Sequence, residues 1–241
     1  MSNESSWQDY ALLFDMDGVL ISLKARWINP IEEIISKIKP DFNRDAISKQ
    51  SSSLLLVHGG RTNLLMLQGI IEVCDVGGLN FIQKLRVLAR LSFVLIRRKK
   101  FPIIPLKGSI ATLKKLKEMG FRMALVTSAS RFTIRRLKKD FPGIHDKFQC
   151  IVTRSDVRFT KPYPDQLLIA LNKMGVVKSK AAMVGDFTSD VFAGKNAGIK
   201  TIGVLGEFPE INKVLLEGSN PDVILSDVTR IPEVVYQLFK T

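Results

Sequence analysis

Two carboxylates stand two residues apart where an apolar run near the start of the chain ends. The run YALLF is followed by Asp15 and Asp17, and Gly18 then allows the backbone to turn sharply. Paired acids can share a reaction, one acting as nucleophile or metal ligand and the other transferring a proton. A simple turn after a strand uses the same residue types, so this segment alone leaves both interpretations open.

Three later segments each supply another group that could do chemistry. The run RMALV is followed by Thr127 and Ser128, whose hydroxyl and amide groups suit an anion. Lys161 lies in FTKPYPD, where two prolines stiffen the backbone and could hold a cation in one place. The run AAMVG is followed by Asp186, and Asp190 comes four residues later. Each apolar run therefore ends in a reactive group.

These groups can act together only if the chain brings the ends of the runs to one place. Short buried apolar runs are typical of strands in a parallel sheet, which is covered on both faces. In open α/β sheets, ligands bind outside the carboxyl ends of the strands. We therefore expect the acids, the hydroxyl groups and the lysine to lie at one edge of a sheet.

The second half of the chain shows the alternation that such a sheet requires. From Pro102 onward, strand patterns alternate with helical patterns, which favours parallel strands joined by right-handed crossovers. We predict an α/β core with a Rossmann-like, doubly wound parallel sheet. The predicted strands are 121–126, 148–152, 181–184, 200–204 and 223–225, and the predicted helices are 108–119, 132–139, 165–174, 189–196, 210–217 and one from 231.

The region between the Asp15 segment and the Thr127 segment does not alternate between strand and helix patterns. It contains helical patterns at 30–38, 63–73 and 79–97 and little that indicates a strand. We interpret it as an all-helical cap domain inserted into the core. The predicted core comprises residues 1–20 and 102–241, and the predicted cap comprises residues 21–101.

The four segments together resemble the haloacid dehalogenase (HAD) superfamily, in its branch containing phosphoglycolate phosphatase and β-phosphoglucomutase. The resemblance rests on DMDGV from Asp15, on Thr127, on Lys161 in KPYPD, and on GDFTSD from Gly185. It is strong over residues 10–20 and 102–204 and poor between them. It implies an enzyme of the phosphoric monoester hydrolase type.

The resemblance also implies a role for each residue of the motifs. Asp15 would attack phosphorus and carry an aspartyl-phosphate, while Asp17 would act as the acid and base. Thr127 and Ser128 would bind the phosphoryl oxygens. Lys161 would pair with the phosphate and with Asp15.

A divalent cation is expected because two carboxylates and a phosphate in one pocket repel each other. Mg²⁺ suits both the oxygen ligands and phosphoryl transfer. Asp15, the backbone carbonyl of Asp17, and Asp186 would hold it, and Asp190 would face it or reach it through a water. Asp190 could instead only favour the dipole at the start of a helix.

The implied reaction is hydrolysis of a small phosphomonoester, such as phosphoglycolate or a sugar phosphate. In related caps an arginine on a loop reaches a second anionic group of the substrate, and Arg61 in HGGRTN is the candidate here. An exposed arginine on a Gly-rich turn is an equally good interpretation. A phosphomutase remains an alternative, although the mutases' histidine is missing from the segment after Asp17.

The chain carries a formal net charge of +13 in 241 residues. Basic runs occur at 97–100 and 135–139, but no zinc-ligand array or aromatic RNA-binding motif accompanies them. We expect a small phosphorylated metabolite as the partner and do not favour nucleic acid. A catalytically retired module that binds an anionic partner such as nucleic acid is the alternative from another class.

The remaining features indicate an ordinary intracellular environment. Cys74 and Cys150 are too few for a disulfide framework and lack a metal-binding spacing. The polar N-terminus shows no secretory signal, and the longest apolar runs, such as LSFVLI, are far too short to span a bilayer. We expect a cytoplasmic monomer or homodimer with no membrane partner.

Overall fold

A computed structural model of the chain describes residues 7–43, 47, 63–97 and 102–240. The chain divides into two compact units, one formed by Met1–Ile21 with Pro105–Thr241 and the other by Ser22–Ile104. The division into a core of residues 1–20 and 102–241 and a cap of residues 21–101 remains a prediction, and so does the role of residues 21–101 as a cap. None of the described helices is both long and apolar enough to cross a membrane.

The first unit contains one six-stranded sheet in which every neighbouring pair of strands is parallel. The strand order is β3-β2-β1-β4-β5-β6, so β1 lies inside the sheet between β2 and β4. This is the doubly wound order, and it confirms the predicted fold class. The strands are β1 (Ala11–Phe14), β2 (Arg122–Thr127), β3 (Cys150–Thr153), β4 (Ala181–Gly185), β5 (Lys200–Val204) and β6 (Val223–Leu225).

Ten α-helices are described, three in the second unit and seven in the first. Those of the second unit are α1 (Asn29–Ser36), α2 (Asn63–Val76) and α3 (Phe81–Arg97), with a π-helix at Lys24–Ile28 before α1. Those of the first unit are α4 (Ser109–Glu118), α5 (Arg131–Asp140), α6 (Pro142–His145), α7 (Asp165–Met174), α8 (Thr188–Ala197), α9 (Pro209–Ser219) and α10 (Ile231–Lys240).

The sheet is buried because its strands consist mostly of apolar residues. All four residues of β1 are fully buried, and Phe14 lies opposite Leu125 of β2 and Val184 of β4. Helices cover the sheet and complete a core that includes Leu167 and Met183. Since both faces are covered, the edge at the carboxyl ends of the strands is where polar side chains can gather.

The second unit has its own hydrophobic cluster, and its described residues form helices and no strand. Ile34 and Ile35 of α1 pack in this cluster with Val73 of α2 and with Val87 and Leu91 of α3. Along α1 and α3 the buried apolar residues recur three or four positions apart, which gives each of these two helices one buried face.

Candidate active site

Asp15 is positioned by the inner strand β1. It directly follows Phe14, and its backbone N–H donates to the carbonyl oxygen of Val184 at 2.9 Å, which continues the ladder between β1 and β4 by one residue. Its carboxylate is buried, with 5% of the residue exposed. Asp15 therefore emerges at the middle of the carboxyl edge with a fixed backbone.

Lys161 reaches this carboxylate from the loop before α7. Its Nζ lies 2.6 Å from Asp15 Oδ1 and 2.6 Å from Asp190 Oδ1, and it donates to the Val126 carbonyl oxygen at 3.2 Å. An ammonium group has three protons, so these three oxygens can use all of them. The side chain is buried, which makes the arrangement a fixed feature of the unit.

Asp186 and Asp190 complete a cluster of three buried acids. Asp186 follows β4, and Asp190 lies in the first turn of α8, where its Oδ2 accepts a hydrogen bond from the N–H of Phe187 at 3.1 Å. One carboxylate oxygen from each of Asp15, Asp186 and Asp190 lies within 4.8 Å of the other two. The structure thus brings together three predicted ligands and the predicted lysine.

Gly18 and Gly185 have no side chain, and the carboxylates of Asp186 and Asp190 occupy the space that a side chain would need. A Cβ atom at Gly18, whose φ is +81°, would lie 1.8 Å from Asp186 Oδ2. A Cβ atom at Gly185 would lie 2.2 Å from the Cβ of Asp190. Both values are far below a van der Waals contact, so any other residue at either position would displace a carboxylate.

The cluster has more negative than positive charge. Burial alone would lower the pKa of Lys161, but the carboxylates of Asp15 and Asp190 outweigh burial and raise that pKa. Burial and the charges of the other two acids raise the pKa of Asp186 well above its usual value. Burial raises the pKa of Asp190 to about 6, although Lys161 opposes the shift. One lysine therefore does not balance three acids.

A divalent cation fits this imbalance. The Oδ1 atom of Asp186 is buried and has no hydrogen-bond partner among the residues that the structure describes. Carboxylate oxygens within 4.8 Å of one another are the ligand type that hard cations such as Mg²⁺ use. The residues present therefore suit a Mg²⁺ ion bound at Asp15, Asp186 and Asp190.

Thr127 ends the neighbouring strand β2 and is buried. Its Oγ1 accepts a hydrogen bond from the N–H of Ala129 at 3.0 Å, and a hydroxyl group that accepts one bond can still donate its proton. The carbonyl oxygen of Thr127 accepts from Nε2 of the buried Gln166 at 3.0 Å. Ser128 follows and is half-buried. Gln166 was not predicted from the sequence, and its place directly after the KPYPD segment was the available signal.

Two further residues were predicted for the site, Asp17 and Arg61. Asp17 is half-buried in the turn after β1, where Gly18 N–H donates to the carbonyl oxygen of Ile21 at 2.8 Å. Its side chain is not among the three grouped acids, and the metal contact predicted for Asp17 uses its backbone carbonyl. Arg61 lies outside the described residues.

The sequence is similar to those of several bacterial pyrophosphatases. The pyrophosphatase PpaX of Halalkalibacterium halodurans is 36% identical over 131 residues, which are 54% of this chain and 60% of that protein. The PpaX of Bacillus velezensis is 44% identical over 93 residues, which are 39% of this chain and 43% of that protein. The chain thus spans 60% or less of the length of these two relatives.

Solved structures share the fold over nearly the whole chain. A predicted phosphoglycolate phosphatase from Haemophilus somnus has a TM-score of 0.68 at 21% identity, covering 94% of this chain and 98% of that one. The β-phosphoglucomutase from Clostridium difficile has a TM-score of 0.61 at 19% identity, covering 96% and 97%. The sequence model of the haloacid dehalogenase-like hydrolases matches residues 11–198, and the chain belongs to that family.

Proposed function

We propose that the chain is a Mg²⁺-dependent phosphatase that hydrolyses a small phosphomonoester through an aspartyl-phosphate on Asp15. The observation that carries this proposal is the position of Lys161, whose Nζ lies 2.6 Å from both Asp15 Oδ1 and Asp190 Oδ1. The lysine holds the Asp15 carboxylate in one orientation. A carboxylate held in this way has its second oxygen available as a nucleophile.

In the first step, this second oxygen of Asp15 forms a bond to phosphorus as the bond from phosphorus to the ester oxygen breaks. Asp17, in its protonated form, gives its proton to the departing alkoxide. In the second step, Asp17 takes a proton from water, the water oxygen bonds to phosphorus, and the bond from phosphorus to Asp15 breaks. Inorganic phosphate leaves and both acids return to their starting states.

The other residues of the site stabilise charge during these steps. The ammonium group of Lys161 and the donors of Thr127 and Ser128 face the phosphoryl oxygens, where negative charge spreads in the transition state. Asp15, the Asp17 carbonyl, and Asp186 would hold the cation, and Asp190 would ligate it or orient the other ligands. When bound, Mg²⁺ would neutralise part of the negative charge of the phosphate.

We assign substrate choice to the helical second unit, which we propose to be the cap domain. Phosphoglycolate and sugar phosphates are the substrate candidates, with Arg61 contacting a second anionic group. We also propose a cytoplasmic protein, which suits the free thiols of Cys74 and Cys150.

Inorganic pyrophosphate is a second candidate substrate. It is favoured by the relatives from H. halodurans and B. velezensis, both named pyrophosphatase PpaX. Pyrophosphate carries a second phosphate as its leaving group, so the same attack by Asp15 would apply. Hydrolysis of pyrophosphate and hydrolysis of a phosphomonoester would differ in the residues that contact the leaving group.

The test is turnover of the purified chain with p-nitrophenyl phosphate, a panel of metabolite phosphates, and pyrophosphate, each with Mg²⁺ and with EDTA. We expect phosphate release that requires Mg²⁺ and is fastest with one member of the panel. Interconversion of sugar phosphates without phosphate release would indicate a mutase instead. Absence of turnover on every compound would indicate a retired binding module and contradict the proposal.

A further inference from the structure

The basic residues of this chain are concentrated in one stretch. Residues 76–139 contain 17 of the 36 Lys and Arg residues but only one of the 23 Asp and Glu residues. The stretch therefore has a net charge of +16, and the other residues together have a net charge of −3. An uneven distribution of this size indicates an anionic partner more strongly than the total charge does.

Helix α3 lies within this stretch and contains no acidic residue. It begins with a reciprocal cap, in which Asn80 Oδ1 accepts from the Gln83 N–H at 3.0 Å and Gln83 Oε1 accepts from the Asn80 N–H at 2.9 Å. Its inner face contributes Val87 and Leu91 to the hydrophobic cluster of the second unit. The helix is thus anchored on one side and leaves a defined outer side.

The outer side of α3 exposes large apolar residues. Phe81 is 73% exposed, Ile82 is 61% exposed and Leu85 is 51% exposed. At about 100° per residue, these three positions fall within one arc of roughly 100° around the helix. Arg86 and Arg90 are exposed and adjoin the same arc. We call these five residues the outer face of α3.

This combination of apolar and cationic groups restricts the partner. A second copy of the chain packed symmetrically on the outer face would bring the arginines of the two copies together, with no acid on α3 to pair with them. Nucleic acid would use the arginines but would leave Ile82 and Leu85 in water. An anionic lipid surface accommodates both, since the acyl boundary receives apolar side chains and the lipid phosphates receive arginines.

We propose that the outer face of α3 docks the chain on the surface of an anionic lipid bilayer. Phe81, Ile82 and Leu85 enter the boundary between headgroups and acyl chains, and Arg86 and Arg90 pair with lipid phosphates. The helix would lie in the plane of the membrane, because Val87 and Leu91 on its inner face stay packed in the hydrophobic cluster of the second unit. The expectation of no membrane partner was based on the short length of the apolar runs. Short runs argue against a helix that spans the bilayer but not against a helix that binds at its surface. This inference does not depend on the proposed phosphatase activity.

The test uses the full chain and sedimentation with vesicles of phosphatidylcholine alone or of phosphatidylcholine with phosphatidylserine. We expect binding to the phosphatidylserine vesicles that weakens with added salt, and little binding to phosphatidylcholine alone. The double variants Ile82→Gln/Leu85→Gln and Arg86→Gln/Arg90→Gln should each weaken binding about tenfold or more. All four side chains lie on the surface, and circular dichroism checks that the variants fold.

Two control variants separate the outer face from general properties of the surface. Val214→Gln removes an apolar side chain that is 70% exposed on α9, and Lys173→Gln/Lys213→Gln removes two exposed lysines that lie outside residues 76–139, on α7 and α9. Both controls should bind vesicles like the wild type. Equal binding to the two vesicle types, no binding to either, or equal losses in test and control variants would overturn the proposal. So would sedimentation equilibrium showing a dimer that Ile82→Gln/Leu85→Gln dissociates, since a second copy would then occupy the face.

Discussion

The Nζ atom of Lys161 and the Oδ1 atom of Asp190 lie 2.6 Å apart, and the same Nζ lies 2.6 Å from Asp15 Oδ1. One ammonium group therefore links an acid at the end of β1 with an acid in the first turn of α8. All three side chains are buried. Because a buried charge is stable only when it is paired, each of the three depends on the other two.

Replacement of this lysine should affect both stability and activity. Lys161→Met keeps the length of the side chain but leaves three buried acids without a cation, and we expect a loss of about 3 to 5 kcal/mol in the free energy of unfolding of the metal-free protein. Turnover should fall by about 10²-fold or more, because a donor to the phosphoryl oxygens is lost. Urea unfolding and phosphatase assays measure the two effects. Lys173→Met, at an exposed position of α7, should change stability by less than about 0.5 kcal/mol. Similar results for the two variants would refute the pairing.

Gly18 should be replaceable only at the expense of the metal site. In Gly18→Ala the new Cβ would meet the Asp186 carboxylate, and the left-handed backbone is strained for alanine, so we expect a destabilisation of about 1 to 3 kcal/mol. The concentration of Mg²⁺ needed for half-maximal activity should also rise. Gly218→Ala is the matched control, since a Cβ there meets nothing within 4 Å and lies in helix α9, where alanine should stabilise by about 0.5 to 1 kcal/mol. An unchanged Mg²⁺ requirement in Gly18→Ala would contradict the role of Asp186.

The raised pKa of Asp186 predicts how metal-free stability depends on pH. The pKa of Asp186 in the folded state lies above its unfolded value of about 3.9. At a pH between these two pKa values, Asp186 is protonated in the folded state and ionised in the unfolded state. The free energy of unfolding therefore falls as the pH rises through this interval. Asp186→Asn removes this loss. It should raise the melting temperature of the metal-free protein by about 3 °C or more at pH 8 and have little effect below the unfolded pKa.

Differential scanning fluorimetry with EDTA and with Mg²⁺ measures this effect. Mg²⁺ should stabilise the wild type at pH 8 and should stabilise Asp186→Asn much less. Asp41→Asn, at an exposed position, should behave like the wild type in both conditions. A metal-free Asp186→Asn that melts below the wild type at pH 8 would show that this carboxylate is not destabilising.

Several elements could be predicted from the sequence because local signals mark their ends. Helix α7 occupies the predicted residues 165–174, since it follows Pro164 and stops at Gly175, whose φ is +64°. Strand β5 also has the predicted bounds, and it begins soon after Gly198, which ends α8 with a φ of +74°. Proline and glycine restrict the backbone itself, so these positions do not depend on tertiary contacts.

Other features depend on contacts that a sequence does not display. Helix α1 was predicted to run to Ile38 but ends at Ser36, because Ile38 joins the hydrophobic cluster from a turn and extends the apolar pattern beyond the helix. The π-helix at Lys24–Ile28 left no recognisable pattern. The family resemblance implied that Lys161 pairs with Asp15, and the structure has that contact. It did not imply the second contact of Lys161, with Asp190, because that contact depends on strand order and rotamers.

The central claim is that Asp15 is the nucleophile, and turnover of Asp15→Asn tests it most directly. The variant keeps the size of the side chain and removes its charge. In a purified, folded preparation with saturating Mg²⁺ and p-nitrophenyl phosphate, we predict that kcat falls by about 10³-fold or more relative to the wild type. Retention of most of the wild-type kcat would contradict the covalent mechanism.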